Sequence, residues 1–302
     1  MINQATILAE ALGEHISGLY RHYFGDNNPE FATCLDAGVR LTMERIACSD
    51  ALYHNMQHTM MVTLVGQDIL RGKIQSEPVM AEDWLHYTLG LLFHDIGYVR
   101  GICRGDTDDC FVIDEQGRCV TPPRGASDAF LSPYHIERGK LFVRERFAET
   151  TLFDAERIAC AIELTRFPVP DDSDHAETDT EAGLVRAADL IGQLADPFYL
   201  RNLNALYHEF LETGTAAELG YASPADLLEA YPRFFWSAVE PYVRDAIRFL
   251  ERTQEGRQWV ANLYSHVFAI EHRRPHLGPY NGLASDEDEM PKLARAGRGP
   301  AE

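Results

Sequence analysis

Histidines and aspartates that could bind a metal ion lie in three separate apolar stretches of the sequence. His58 lies in the first, the adjacent His94 and Asp95 in the second, and Asp189 in the third. Burying such groups is costly unless a partner compensates, and a divalent cation is a common partner. Any one of them alone is consistent with a hydrogen-bonded core histidine or a helix-capping aspartate. The combination favours a shared metal site and predicts a metal-centred hydrolase.

Spacing adds detail to this prediction. His54 and His58 are four residues apart, so they share a face of a helix predicted over residues 54–70. His94 and Asp95 are adjacent, and on a regular helix their side chains point about 100° apart. Both can therefore reach one metal ion only near a helix end. Gly97, two residues later, is predicted to provide that end.

The elements that must position these residues are predicted to be almost entirely helical. Apolar residues recur at helical spacing, whereas residues 84–93 are apolar nearly all round, as in a buried central helix. Residues 99–133 interrupt this rhythm, and Phe111–Val120 is predicted to form a short β-hairpin. The fold class is thus all-α with a small hairpin insertion. The other predicted helical stretches are residues 5–23, 31–47, 135–147, 154–164, 180–194 and most of 196–276.

We expect one domain over residues 1–277, with a core at 31–200, the insertion at 99–133 and C-terminal helices at 201–277. The acidic and then Pro-, Gly- and Ala-rich segment 278–302 is predicted to be disordered. Apolar patches at Phe234-Phe235-Trp236 and Trp259-Val260 are consistent with a homodimer.

Bulk composition excludes several classes of protein. The net charge of −20 argues against binding duplex nucleic acid, because contact with a phosphate backbone requires a basic surface. No apolar run approaches the length of a membrane span and the N-terminus lacks secretion-signal features, so we expect a soluble, cytoplasmic protein.

Six irregularly placed cysteines are expected to be reduced thiols. Cys103, Cys110 and Cys119 match no zinc-site spacing closely, which favours reduced thiols over a structural zinc.

The pattern His…His-Asp…Asp on a helical scaffold resembles the HD superfamily of metal-dependent phosphohydrolases. Tyr53-His54-Asn55-x-x-His58 is also similar to the signature of cyclic-nucleotide phosphodiesterases, and Ala187-Ala188-Asp189-Leu190 is similar to their segment with the last metal-ligand aspartate. The likeness covers about residues 53–197. After His94-Asp95, however, this chain continues Ile96-Gly97-Tyr98, as generic bacterial HD proteins do and phosphodiesterases do not. The purine-binding glutamine of the phosphodiesterases has no matching motif here.

The resemblance implies an HD-type helical bundle and a role for each site residue. His58, His94, Asp95 and Asp189 would bind the first ion, Asp95 would bridge to a second, and His54 would protonate the leaving oxygen. One or two divalent ions are implied, and Zn, Mn, Mg, Fe and Ni all remain open. Water bound to such an ion loses its proton near neutral pH and becomes the nucleophile that attacks phosphorus. The expected substrate is a small phosphoester, such as a nucleotide or cyclic nucleotide.

His135, at the start of a predicted helix, is the best candidate for a further ligand, because some HD subfamilies use an extra histidine downstream of the His-Asp pair. A surface position in the first helical turn is nearly as consistent with the sequence. His86 is interpreted as a core residue or a neighbour of the site, and the more C-terminal histidines as surface positions: His175, His208, His266, His272 and His276. Arginines around the insertion could hold phosphate, although solvated surface positions suit each one better: Arg100, Arg104, Arg124 and Arg138.

Two other classes remain open. A non-catalytic HD module could bind a nucleotide and signal through the C-terminal helices. A di-iron HD-type oxygenase is a weaker alternative, because it needs additional histidine ligands and only His135 and His86 could supply them.

Overall fold

The computed structural model describes residues 3–272 and is mostly helical, with one two-stranded antiparallel hairpin. The all-α prediction with a small hairpin insertion is confirmed. The predicted disordered segment 278–302 and His276 lie outside the described residues. In chain order the helices are α1 Gln4–Phe24, α2 Pro29–Ile46, α3 Met56–Lys73, α4 Ala81–Phe93, α5 His135–Phe147, α6 Ala155–Leu164, α7 Glu181–Leu194, α8 Tyr199–Thr213, α9 Thr215–Leu219, α10 Pro224–Phe234, α11 Glu240–Leu250 and α12 Gln254–Glu271.

Helix α4 is central, as its uniformly apolar sequence predicts. Every residue from Trp84 to Phe93 is buried. Helices α2, α3, α6 and α7 surround it, so the polar residues that follow Phe93 are delivered into the middle of the molecule. Helix α3 also packs directly on α7, and Gly192 makes this possible, because a Cβ there would lie 2.8 Å from Cα of Val62.

The insertion after α4 has the hairpin that the sequence predicts. Strands β1 (Phe111–Val112) and β2 (Cys119–Val120) pair antiparallel, with Phe111 opposite Val120. Contrary to the reduced thiols expected from the sequence, Cys110 and Cys119 form a disulfide across this hairpin. The hairpin brings the two thiols together although they are nine residues apart.

Arg138 anchors the insertion to α5 and is not the surface residue expected from the sequence. Its side chain is fully buried and forms an ion pair with Asp106 at 2.8 Å. The guanidinium also donates to the backbone oxygens of Gly97, Val99 and Val112. Arg138 therefore stabilises the chain just after the His94-Asp95 pair rather than offering its charge to a ligand.

The two apolar patches near the C-terminus are only partly exposed. Phe235 is fully buried, whereas Trp236 is exposed, and the Trp259 indole donates to Asp68 at 2.8 Å. The homodimer remains a prediction. Over residues 3–272 no helix is both long and apolar enough to cross a membrane.

Candidate metal centre

His94 and Asp95 occupy the junction after α4, where the chain leaves regular helical geometry. His94 caps the C-terminus of α4, and Asp95 has φ −106° and ψ 6°, outside the α-helical region. This change of direction lets adjacent side chains face one point, as the sequence predicts. Helix α4 ends earlier than expected, however, at Phe93, and Gly97 lies within a following 3₁₀ turn, Ile96–Tyr98.

His58 and Asp189 reach the same point from two other helices. His58 is in the first turn of α3, where the side chain of Asn55 caps the helix by accepting from the backbone N–H of His58. Asp189 is in the middle of α7. His58 Nε2 lies 3.2 Å from Asp95 Oδ2 and 3.2 Å from Asp189 Oδ1, and His94 Nε2 lies 3.1 Å from Asp95 Oδ2. His94 Nε2 is 3.7 Å from Asp189 Oδ1.

These spacings fit a shared cation. Ligand atoms bound at about 2.1 Å to one tetrahedral or octahedral ion lie about 3.0–3.4 Å apart. His58, His94 and Asp95 are all buried, and one ligand atom from each lies within 4.8 Å of the others. This buried His-His-Asp group could hold a metal ion. Asp189 borders it on a partly exposed side.

The hydrogen bonds inside the group leave nitrogen and oxygen atoms free to act as metal ligands. His94 Nδ1 lies 2.7 Å from the backbone oxygen of Leu91, which can only accept, so Nδ1 carries the proton. Neutral His94 therefore presents an Nε2 lone pair, 3.3 Å from His58 Nε2. Asp95 Oδ2 is buried without a hydrogen-bond partner. A buried carboxylate oxygen that lacks a hydrogen-bond donor is costly, and a cation between Asp95 and the two imidazoles would remove that cost.

Electrostatics agree with this geometry. Burial opposes ionisation of Asp95, but the imidazoles of His94 and His58 outweigh it and hold the pKa of Asp95 well below its usual value. Burial likewise opposes protonation of His58, yet Asp189 and Asp95 raise the pKa of His58 to about 10. The carboxylates thus create a site that attracts positive charge.

His135 lies at the edge of the group. Its Nδ1 is 2.6 Å from the backbone oxygen of Ser132, so Nε2 is a free lone pair in the neutral ring. That Nε2 points to Asp95 Oδ1 at 3.9 Å, too far for a hydrogen bond. Burial lowers the pKa of His135, which favours the neutral, ligand-competent form. The Tyr98 ring stacks on His135 at 4.5 Å and fixes its orientation.

His54 lies beside the group but not on the helix that the sequence predicts. Asn55 caps α3, so His54 belongs to the preceding irregular segment. The ring remains close to His58, with centroids 5.5 Å apart, and stacks on Tyr98 at 4.4 Å. Its position is therefore set by ring packing rather than by helical periodicity.

Glu209, on α8, holds His54 and was not identified from the sequence. Its Oε2 lies 2.6 Å from His54 Nδ1, and its Oε1 accepts from the backbone N–H of Tyr53. Although burial favours the neutral form of each group, the Glu209 carboxylate raises the pKa of His54, and His54 lowers the pKa of Glu209. One signal was available: an acidic residue on the apolar stripe of a predicted helix.

Other residues considered from the sequence lie away from the centre. His86 is buried and bonds the backbone of Glu82 and Asp154, as expected of a core residue. His175 is buried against Asp172, and His266 is half-buried, so both differ from the surface positions expected.

A narrow cleft next to His58 is lined by residues of α3 and α8, by Gly192 of α7 and by Asp196, which follows α7. Its cavity volume is about 20 Å³. Gln57 and Asn202 line it and both donate to Asp196 Oδ2, at 3.2 and 2.9 Å. A cleft of this size has room for about one water molecule beside His58.

The protein is thus mostly helical, with a buried His-His-Asp group at the end of its central helix that could hold a metal ion. A family model described as Npun_R2479-like matches residues 2–273, and the chain belongs to that family. Searches of curated proteins and of solved structures gave no match.

Proposed function

We propose that this protein is a metal-dependent phosphohydrolase related to the HD superfamily. The observation that carries the proposal is the convergence of His58, His94, Asp95 and Asp189 from three separate segments, with Asp95 Oδ2 buried and without a hydrogen-bond partner. His58, His94 and Asp95 would hold the ion and Asp189 would complete its coordination. His135, next to Asp95 Oδ1, would assist a second ion.

A divalent cation at this position would activate water and polarise a phosphoryl oxygen. The protein residues supply the rest of the chemistry. His54 Nδ1 is held by Glu209, so Nε2 is the nitrogen available to protonate a leaving oxygen. Glu209 favours the protonated imidazole that this step requires. Tyr98 stacks on His54 and keeps the ring from turning away.

The proposed substrate is a small phosphoester, most plausibly a nucleotide or cyclic nucleotide. The Tyr53-His54-Asn55-x-x-His58 motif supports this choice, and in the structure it forms the segment that joins Glu209 to the metal centre. A chain with net charge −20 repels phosphates at long range, so local positive charge at the centre must capture the substrate.

Elemental analysis combined with a panel of phosphomonoesters, phosphodiesters and nucleotides tests the proposal. The purified protein should contain a stoichiometric divalent ion and hydrolyse at least one member of the panel. Asp95→Asn should lose both the ion and the activity. His54→Ala should keep the ion and lower turnover by about 100-fold or more. A protein without bound metal would contradict the proposal.

Metal-loaded protein that is inert toward the whole panel would favour the regulatory alternative. One contact supports that alternative: α8 provides Glu209, which joins the C-terminal helices to the centre. The oxygenase alternative loses support, because His86 is bonded to Glu82 and Asp154 and cannot serve as a ligand. Iron content and oxygen uptake test it directly.

A further inference from the structure

A second cavity, away from the metal centre, is lined by three arginines. It lies between the C-terminal ends of α2 and α5 and the loop that follows the 3₁₀ turn, and its volume is about 290 Å³. Arg45 comes from α2, Arg104 from the loop and Arg146 from α5. His135 begins α5 and Arg146 is near its end, so the cavity lies about 15 Å along that helix from the metal centre.

These arginines lack the carboxylate partners that about half of the arginines within residues 3–272 possess. Arg157, for example, pairs with Asp83 and Glu181. Within residues 3–272, by contrast, no carboxylate oxygen lies within 4.0 Å of a guanidinium nitrogen of Arg45, Arg104 or Arg146. What distinguishes Arg45, Arg104 and Arg146 from other unpaired arginines of the described residues is that all three line one cavity. Three unpaired ones around a single cavity leave local positive charge to be neutralised.

The one acidic residue that lines the cavity, Glu145, is bonded to one of the three arginines. The Glu145 carboxylate accepts from the backbone N–H of Arg104 at 2.8 Å, and its backbone oxygen accepts from Arg104 Nη2 at 2.6 Å. These bonds orient the Arg104 guanidinium at the edge of the cavity. Glu145 thus positions Arg104 and offsets one of the three positive charges, which leaves a net charge of +2 on the lining.

Helix dipoles explain part of this arrangement. Arg45 and Arg146 lie in the last turns of α2 and α5, where a cation stabilises the helix terminus by about 0.3–1 kcal/mol. Arg104 is not in a helix, yet it lines the same cavity. Its guanidinium instead donates to the backbone oxygen of Glu145, near the end of α5.

The apolar wall of the cavity consists of Leu41, Ile102 and Phe142, and Gly101 and Cys103 also line the cavity. A cavity lined by both guanidinium groups and apolar side chains suits a ligand that carries phosphate groups and a ring. We propose that this cavity binds a small organic phosphate of nucleoside diphosphate type. Arg45, Arg104 and Arg146 contact its phosphates, and the apolar wall contacts its ring.

Calorimetric titration of the full-length, metal-replete protein with α,β-methylene adenosine diphosphate, which resists hydrolysis, tests the proposal. Inorganic pyrophosphate is the second probe, because it offers phosphates without a ring. The test variant is Arg45→Gln/Arg146→Gln, and both residues are exposed, so the fold should tolerate it. The matched control is Arg124→Gln/Arg233→Gln, which removes the same charge from exposed positions elsewhere.

Wild-type protein and the control should bind the nucleotide analogue equally, and affinity should fall as salt is raised. The test variant should bind about tenfold more weakly for each arginine removed. Pyrophosphate should bind more weakly than the analogue. The proposal is overturned if the test variant binds like wild type, or if wild type binds neither probe. Metal content and hydrolysis should be unchanged in the test variant, so failure here does not affect the proposed function.

Discussion

A Cβ atom on Gly97 would lie 1.9 Å from the backbone oxygen of His135. The turn that follows Asp95 therefore packs directly on the first turn of α5, with only a hydrogen atom between the two backbones. This contact sets the separation between Asp95 and the His135 ring. It also explains why a glycine is needed here although its φ is not positive.

Gly97→Ala should separate α5 from the metal centre. Overpacking against backbone costs about 1–3 kcal/mol, because neither segment can move without disturbing buried neighbours. We expect a lower free energy of unfolding and reduced metal content, measured by urea denaturation and elemental analysis. Gly18→Ala is the matched control, since a Cβ at this exposed helical position meets nothing within 4 Å. It should stabilise the protein by about 0.5–1 kcal/mol. Equal effects of both substitutions would contradict the packing argument.

The candidate metal ligands can be recognised in the sequence because polar groups are conspicuous on apolar helices. His58, His94, Asp95 and Asp189 each depart from an apolar pattern, and their convergence follows from the helical fold. The sequence predicts only that Gly97 ends a helix. The close approach of the His135 backbone to Gly97 could not be predicted, because a sequence does not show which segments pack together.

Residues defined by tertiary contacts were harder to predict. Glu209 lies 155 residues from His54, so the sequence shows an acidic residue on the apolar stripe of a helix but not the histidine that it binds. His54 was assigned to α3 on spacing alone, although Asn55, a favourable N-cap residue, follows it. The sequence around Arg138 is typical of a solvated arginine. Only the path of the insertion shows that its side chain is buried.

The Cys110–Cys119 bond can be tested by counting thiols. Cys34, Cys48, Cys103 and Cys160 are free, so unfolded, unreduced protein should react at four of its six cysteines. Reduction before unfolding should raise the count to six. Cys110→Ser/Cys119→Ser should lose about 2–3 kcal/mol of stability, because a cross-link limits the unfolded chain. Six reactive thiols without reductant would show that the bond does not form.

Glu163 forms ion pairs with Lys140 and Arg166, and low pH should weaken its contribution to the free energy of unfolding. Burial opposes its ionisation, but these cations lower the pKa of Glu163 to about 2. A carboxyl whose folded pKa is depressed stabilises the fold above its unfolded pKa, and the gain disappears as pH falls through the folded value. Glu163→Gln should therefore cost about 1–2 kcal/mol at pH 7, allowing for solvent screening, and much less near pH 2. Urea denaturation across this range measures the difference, and a cost independent of pH would contradict the assignment.

Glu209→Gln should separate proton donation by His54 from metal binding. The amide preserves size and can still accept from the Tyr53 N–H, but it removes the charge that favours protonated His54. Turnover should fall by about 10- to 100-fold while metal content stays at the wild-type level. The loss should be large for phosphoesters with alkyl leaving groups and small for p-nitrophenyl esters, whose leaving oxygen needs little protonation. Glu212→Gln is the control, since that neighbouring carboxylate bonds Ser127 instead. If Glu209→Gln slowed both kinds of ester equally, Glu209 would act through the fold of the site and not through the proton on His54.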